Sequence, residues 1–136
     1  MSSYRPSATA LLLFVGAAFF LFETIVHAFG LPVLEHDKIF LFTHDRYIAL
    51  YAITMAAIMT LTASDLRRYR FLFPIVMASI LLGIANAMLI EQLGGYQVLF
   101  PPAQQVDGQL SGLGIAVAIW YLCTWWSFVY SVRGKG

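Results

Sequence analysis

The chain has 136 residues, of which 60% are hydrophobic and only 11% are charged, and its formal net charge at pH 7 is +1. Roughly 25% of the residues in soluble domains are charged, so this composition excludes an ordinary soluble domain. Apart from one short arginine cluster, no basic patch is present, and this excludes nucleic acid as a partner. The composition predicts an integral membrane protein in contact with the lipid bilayer.

Four apolar stretches each have close to the roughly 20 residues that a helix needs to cross the hydrocarbon. They are residues 8–29, 47–64, 71–90 and 111–132. In lipid, backbone polar groups have to be paired within their own segment, and the two-residue alternation of barrel strands is absent. The predicted fold is therefore all-α: an antiparallel four-helix membrane bundle forming a single domain over residues 1–136. Residues 33–43 have the mixed pattern of a short interfacial helix in the first outer loop.

The Lys and Arg residues outside these stretches set the predicted orientation. Six of them belong to the two ends of the chain and to the second loop: Arg5, Arg67, Arg68, Arg70, Arg133 and Lys135. The first loop contains two, Lys38 and Arg46, and the third loop contains none. By the positive-inside rule, both termini are cytoplasmic, and the loops 30–46 and 91–110 face outward.

A cleaved signal peptide is an alternative interpretation of the first stretch. Arg5, the apolar run 8–22 and the small residue Ala28 fit the order of charged region, apolar region and cleavage site. Glu23 and His27 are unusual just before such a site, so we expect the first span to be retained.

Ionisable residues are concentrated at the outward end of the predicted bundle. All three histidines lie there, with six of the seven acidic residues: Glu23, Glu35, Asp37, Asp45, Glu91 and Asp107. Glu23 and His27 are four residues apart within an apolar helix, so they share one face. Because ionisable groups in hydrocarbon are costly, this pair is the first candidate for a functional site.

Helical depth predicts which other polar residues lie near Glu23 and His27. Asn86 lies at a similar depth on the third helix, and the tyrosines occupy the outer two turns of the second. The predicted outer pocket is completed by these residues: Tyr47, Tyr51, Asn86 and, at its mouth, Glu91.

A carboxylate and an imidazole on one helical face form half of a metal site in a helical bundle. We predict Glu23 and His27 as the lower ligands, with His36 or His44 above them. Asp37, Asp45 and Glu91 are further candidates to complete the site. Mixed nitrogen and oxygen ligands suit zinc, copper or iron. The alternative is that Glu23 and His27 hydrogen-bond each other and Asn86 or a tyrosine, and only specify helix packing.

Small and aromatic residues at spacings of three and four predict which helical faces meet. On the first helix this seam contains Gly16, Phe20, Glu23, His27 and Gly30. On the fourth helix it contains Ser111, Gly114, Ala118, Tyr121 and Trp125.

These patterns favour a non-enzymatic subunit or accessory factor of a larger membrane complex, or a homo-oligomer. A small proton-coupled transporter using Glu23 is the alternative. Four short helices with a glutamate in the first resemble, in outline, the small multidrug resistance exporters, in which such a glutamate exchanges protons for cationic drugs. The outer loops here are longer and Glu23 lies off-centre, so no residue role is carried over. A metal-dependent membrane enzyme is the third class, because a catalytic metal needs three ligands and an open position.

Overall fold

The structure is a computed structural model, and it describes residues 7–33, 42–92 and 107–133. Within these ranges the chain forms helices and no strand. The helices are α1 (Ala8–Phe29), α2 (Phe42–Ser64), α3 (Leu72–Gln92) and α4 (Asp107–Arg133). The prediction of four helices is confirmed for this part of the chain. The predicted interfacial helix falls mostly on residues 34–41, outside the described residues.

Three segments are long and apolar enough to cross a membrane: Ala8–Phe29, Asp45–Ser64 and Gly114–Ser131. The apolar part of α3, counted over its described side chains, is the shorter segment Leu72–Asn86. Helix α2 begins at Phe42 rather than at the predicted residue 47. This earlier start brings the polar residues that follow Phe42 into the first turns of α2.

Helix α1 is defined by a cap at each end. At its start, the Ser7 side chain accepts a hydrogen bond from the Ala10 N–H at 3.2 Å, which satisfies one of the free amides of the first turn. At its end, Gly30 has a φ of 62° and a ψ of 42°, the left-handed conformation that glycine adopts without steric cost. The Leu31 N–H then donates to the Val26 carbonyl at 3.0 Å. Residues 23–29 therefore remain helical up to a sharp stop.

A compact turn joins α2 to α3. The Asp65 side chain accepts a hydrogen bond from the Arg68 N–H at 3.1 Å, and the Asp65 carbonyl accepts from the Tyr69 N–H at 2.9 Å. Aspartate is suited to such turns because its short side chain can bond a nearby backbone amide.

Among the described residues, helices α1 and α2 form the most extensive packing. The buried core is made of small, aliphatic and sulfur-containing side chains and one phenylalanine: Ala10, Leu13, Ala17, Met55, Met59, Ala63, Phe73, Val76, Met77 and Ile80. Gly16 lies where α1 comes close to side chains of α2 and α4. A Cβ at this position would lie 2.5 Å from the Trp120 ring and would also overlap Met59. The predicted packing role of Gly16 follows from this lack of space.

Helix α4 is tied to α1 by polar contacts and to α3 by aromatic ones. The Trp120 Nε1–H donates to the Leu12 carbonyl at 2.8 Å. The hydroxyls of Thr9 and Ser127 hydrogen-bond each other at 2.9 Å. The Phe73 ring stacks on Phe128 with centroids 3.8 Å apart. These contacts place Trp120, Ser127 and Phe128 on the packed face of α4.

The predicted seam of α4 is wrong at Gly114 and Ala118. A Cβ at Gly114 would meet nothing within 4 Å among the described residues, and Ala118 is exposed. The described contacts of α4 are instead made by aromatic side chains: Trp120 with the backbone of α1, and Trp125 and Phe128 with Phe73 of α3.

Candidate functional site

The candidate site is built around His27, in the last turn of α1. Glu23 lies one turn earlier on the same face, and the two side chains meet with His27 Nε2 3.3 Å from Glu23 Oε2. Both side chains are largely buried, with exposed fractions of 8% for His27 and 12% for Glu23. The predicted pairing of these two residues on one helical face is present in the structure.

The other nitrogen of His27 contacts α2. Its Nδ1 lies 2.7 Å from Asp45 Oδ1, and Asp45 is also buried. One imidazole thus connects two carboxylates and two helices. We name these three residues, Glu23, His27 and Asp45, the Glu–His–Asp cluster.

The helix ends favour the charges of this cluster. Asp45 lies in the first turn of α2, where the free N–H groups and the helix dipole stabilise a negative charge. His27 lies in the last turn of α1, where the carbonyl end of the dipole stabilises a positive charge. Both placements reduce the cost of holding ionised groups away from water.

The protonation state of the imidazole determines how many of the two carboxylates it can donate to. A neutral ring has one N–H donor and can donate to only one of the two carboxylates, whereas an imidazolium donates to both at once. In the protonated form, one positive charge lies between two negative ones. Each nitrogen of a protonated His27 would therefore have a carboxylate acceptor.

One oxygen of the cluster remains without a hydrogen bond within the part of the chain that the structure describes. Glu23 Oε1 is buried and has no hydrogen-bond partner there. A buried carboxylate oxygen in this state carries a desolvation cost, which a proton or a cation would offset.

Tyr51, another residue of the predicted pocket, contacts both α1 and α3. The Tyr51 hydroxyl donates to the Ser79 carbonyl at 3.3 Å, and its ring packs edge-on against Phe20. Tyr47 and Asn86 are exposed. Phe20 lies three residues before Glu23, so the Tyr51 ring packs against α1 about one helical turn from the cluster.

The side chains of three predicted residues are not among those that the structure describes. His36 lies outside the described residues. His44 lies in α2 and Glu91 in α3, but nothing is described of either side chain. Their predicted roles therefore stay predictions.

Asp45 is the residue whose role the sequence left undecided. It was one of several candidates to complete the site, and nothing in the pattern ranked it above His44 or Glu91. The usable signal was its place before the second apolar stretch, because an aspartate there fits the first turn of a helix.

The described residues contain no group of three His, Cys, Asp or Glu side chains arranged to hold a metal ion. Both nitrogens of His27 are already in contact with carboxylates, so a metal would have to displace one of these contacts.

No protein-family model, curated protein or solved structure matches this chain. The fold and the site therefore define only a class. It is a small helical protein with three candidate membrane helices and a buried Glu–His–Asp cluster that joins two of its helices.

Proposed function

We propose that this protein is a small multi-pass membrane protein that serves as a non-enzymatic subunit or accessory factor of a larger membrane complex. The observation that carries the proposal is the Glu–His–Asp cluster, in which His27 contacts Glu23 on α1 and Asp45 on α2. Polar groups in hydrocarbon hydrogen-bond across helix interfaces and specify how the helices pair. The cluster then fixes the position of α1 against α2 at one end of the bundle.

A groove on the surface of the α1–α2 pair supports the role as a subunit. Its described lining comes from α1 and α2, and five of the ten lining residues are alanine or threonine: Ala17, Ala18, Ala56, Ala57 and Thr60. Small residues let a further helix approach closely, which is how helices associate in membranes without a hydrophobic driving force. The proposed occupant is an apolar helix of another subunit.

In this proposal both termini are cytoplasmic and the loops 30–46 and 91–110 face outward, as the distribution of Lys and Arg favours. On a Cys123→Ser background, His36→Cys and Gln104→Cys should react with a membrane-impermeant thiol reagent in intact cells. Reaction only after permeabilisation would reverse this orientation.

Filling the groove tests the role as a subunit. Ala57→Phe places a ring in the groove, and we expect the assembly extracted from native membranes in mild detergent to fall in mass to that of the single chain. Ala85→Phe, the same change at an exposed position of α3, should leave the assembly intact. Two differently tagged copies that purify together would identify a homo-oligomer. A wild-type chain that is already monomeric, or two variants with the same mass, would contradict the proposal.

Proton-coupled transport by Glu23 is a second candidate, favoured by the buried Oε1 that lacks a hydrogen-bond partner among the described residues. Such an oxygen could bind a proton and a transported cation in turn, which is what proton-coupled exchange requires. Glu23→Gln keeps the shape of the side chain but cannot ionise. If transport is the function, this variant should fold and assemble normally, while cation uptake driven by a pH gradient in vesicles is lost. Unchanged uptake would exclude Glu23 as the coupling residue.

A divalent metal, zinc, copper or iron, remains part of the proposal for this site. Glu23 and His27 would supply two ligands, and His36 or His44 a third; a metal-dependent enzyme would need an open position as well. Elemental analysis of the purified protein should then give one equivalent of metal, and His27→Ala should remove it. Binding should also weaken as pH falls through the histidine range, because protons compete for the same nitrogens. Less than one equivalent would leave the structural role of the cluster standing.

A further inference from the structure

All four helices surround an apolar cavity at their midpoints. Its volume is about 450 Å³, and it is half-enclosed. Its walls include four aromatic side chains and two aliphatic ones: Phe19, Phe20, Tyr51, Trp120, Ile84 and Val117. The volume lies within the roughly 300–1,000 Å³ of pockets that bind small molecules.

The position of the cavity along each helix is the second observation. Phe19 lies near the middle of α1, Tyr51 near that of α2, Gly83 near that of α3, and Trp120 near that of α4. The aromatic contacts of Phe73 with Phe128 and Trp125 lie nearer the start of α3. The cavity therefore lies at the depth of the bilayer centre if the helices span it.

Water is a poor occupant for this space. The described lining contains only two side-chain polar groups, the Tyr51 hydroxyl and the Trp120 Nε1–H. Each donates to a backbone carbonyl, of Ser79 and Leu12 respectively. A buried water needs two to four polar partners, and apolar cavities without them stay dry. An empty space of this size would in turn forfeit the packing contacts of its walls.

We infer that the cavity binds one hydrocarbon chain that enters from the surrounding bilayer. This inference rests on the proposed membrane function, because only hydrocarbon is abundant at that depth. The described wall offers rings and aliphatic groups along its length, and its two polar groups already donate to backbone carbonyls. Gly83 leaves room for the chain, since a Cβ there would meet only the Tyr51 hydroxyl, at 3.6 Å. The chain belongs either to a phospholipid or to a free single-chain lipid.

Native mass spectrometry of the full chain distinguishes these sources. The protein is reconstituted in vesicles of dioleoylphosphatidylcholine, with or without added oleic acid, and released in mild detergent. We expect one retained lipid per protein, and its mass identifies phosphatidylcholine or oleate. A wild-type protein that retains neither would overturn the inference.

Two matched variants test the location. Gly83→Leu places an aliphatic side chain in the cavity and should abolish the retained lipid. Gly114→Leu adds the same side chain where nothing lies within 4 Å, and it should retain the lipid as the wild type does. Equal retention, or equal loss, in the two variants would place the lipid elsewhere.

A labelling experiment on the wild type does not depend on how the variants fold. Phosphatidylcholine with a diazirine at the end of one chain should, on irradiation, label cavity-lining residues such as Phe20 and Ile84, and excess unlabelled lipid should compete. Labels confined to exposed residues such as Leu82 and Leu122 would contradict the inference. Flotation with vesicles distinguishes failure of the membrane proposal from failure of the cavity inference. A protein that does not float with the vesicles would contradict the proposed membrane function. A protein that floats but retains no lipid would contradict only the cavity inference.

Discussion

Replacing His27 with leucine should lower the free energy of unfolding by about 3–5 kcal/mol, the usual effect of removing one partner from a buried charged network. The change leaves the carboxylates of Glu23 and Asp45 buried without the imidazole that lies between them. Unfolding of the purified protein in detergent micelles, followed by circular dichroism, measures the loss. Asn86→Leu is the control: it introduces leucine at an exposed polar position of α3. It should change the free energy of unfolding by less than about 0.5 kcal/mol.

A compensating variant shows whether charge is the cause. Replacing Glu23, His27 and Asp45 together with leucine should recover most of the stability lost in His27→Leu, because apolar residues of similar volume often replace a buried ionic network at little cost. A triple variant as unstable as His27→Leu would attribute the loss to packing instead. If the triple variant folds and assembles but loses transport or metal, the cluster has a chemical role beyond joining α1 to α2.

Gly16→Leu should be the most damaging single change in the core, with a loss of about 3 kcal/mol or more. Even a Cβ at this position would lie 2.5 Å from the Trp120 ring and would overlap Met59. The Met59 tip can rotate away, but Trp120 is held by its hydrogen bond to the Leu12 carbonyl. The larger side chain therefore has to push α4 away from α1. Thermal unfolding in micelles, together with the shift of tryptophan emission, measures this separation.

Gly114→Leu is the matched control for Gly16→Leu, because its Cβ would meet no described residue within 4 Å. Leucine has the higher helix propensity, so this variant should be neutral or more stable by about 0.5–1 kcal/mol. If both glycine variants lose the same stability, the close approach of α1, α2 and α4 at Gly16 is wrong.

The sequence alone determined the number and nature of the helices. Runs of about 20 apolar residues form helices in lipid, because a helix pairs its backbone polar groups within the segment. Gly30 and Asp65 mark where two of these helices end in turns. The pairing of Glu23 with His27 was also predictable, because a spacing of four residues puts two side chains on one face whatever the tertiary fold. Local geometry is enough for both conclusions.

Only the tertiary structure selected Asp45 as the second partner of His27. The sequence offered several histidines and carboxylates near the same end, and their distances depend on where α2 begins and how it rotates against α1. The same holds for α4, where spacing favoured Gly114 and Ala118 together with Tyr121 and Trp125: the two aromatic residues pack, but the two small ones are exposed. The packed face also carries Trp120 and Phe128, because shape complementarity between helices depends on three-dimensional gaps that residue spacing along one helix does not encode.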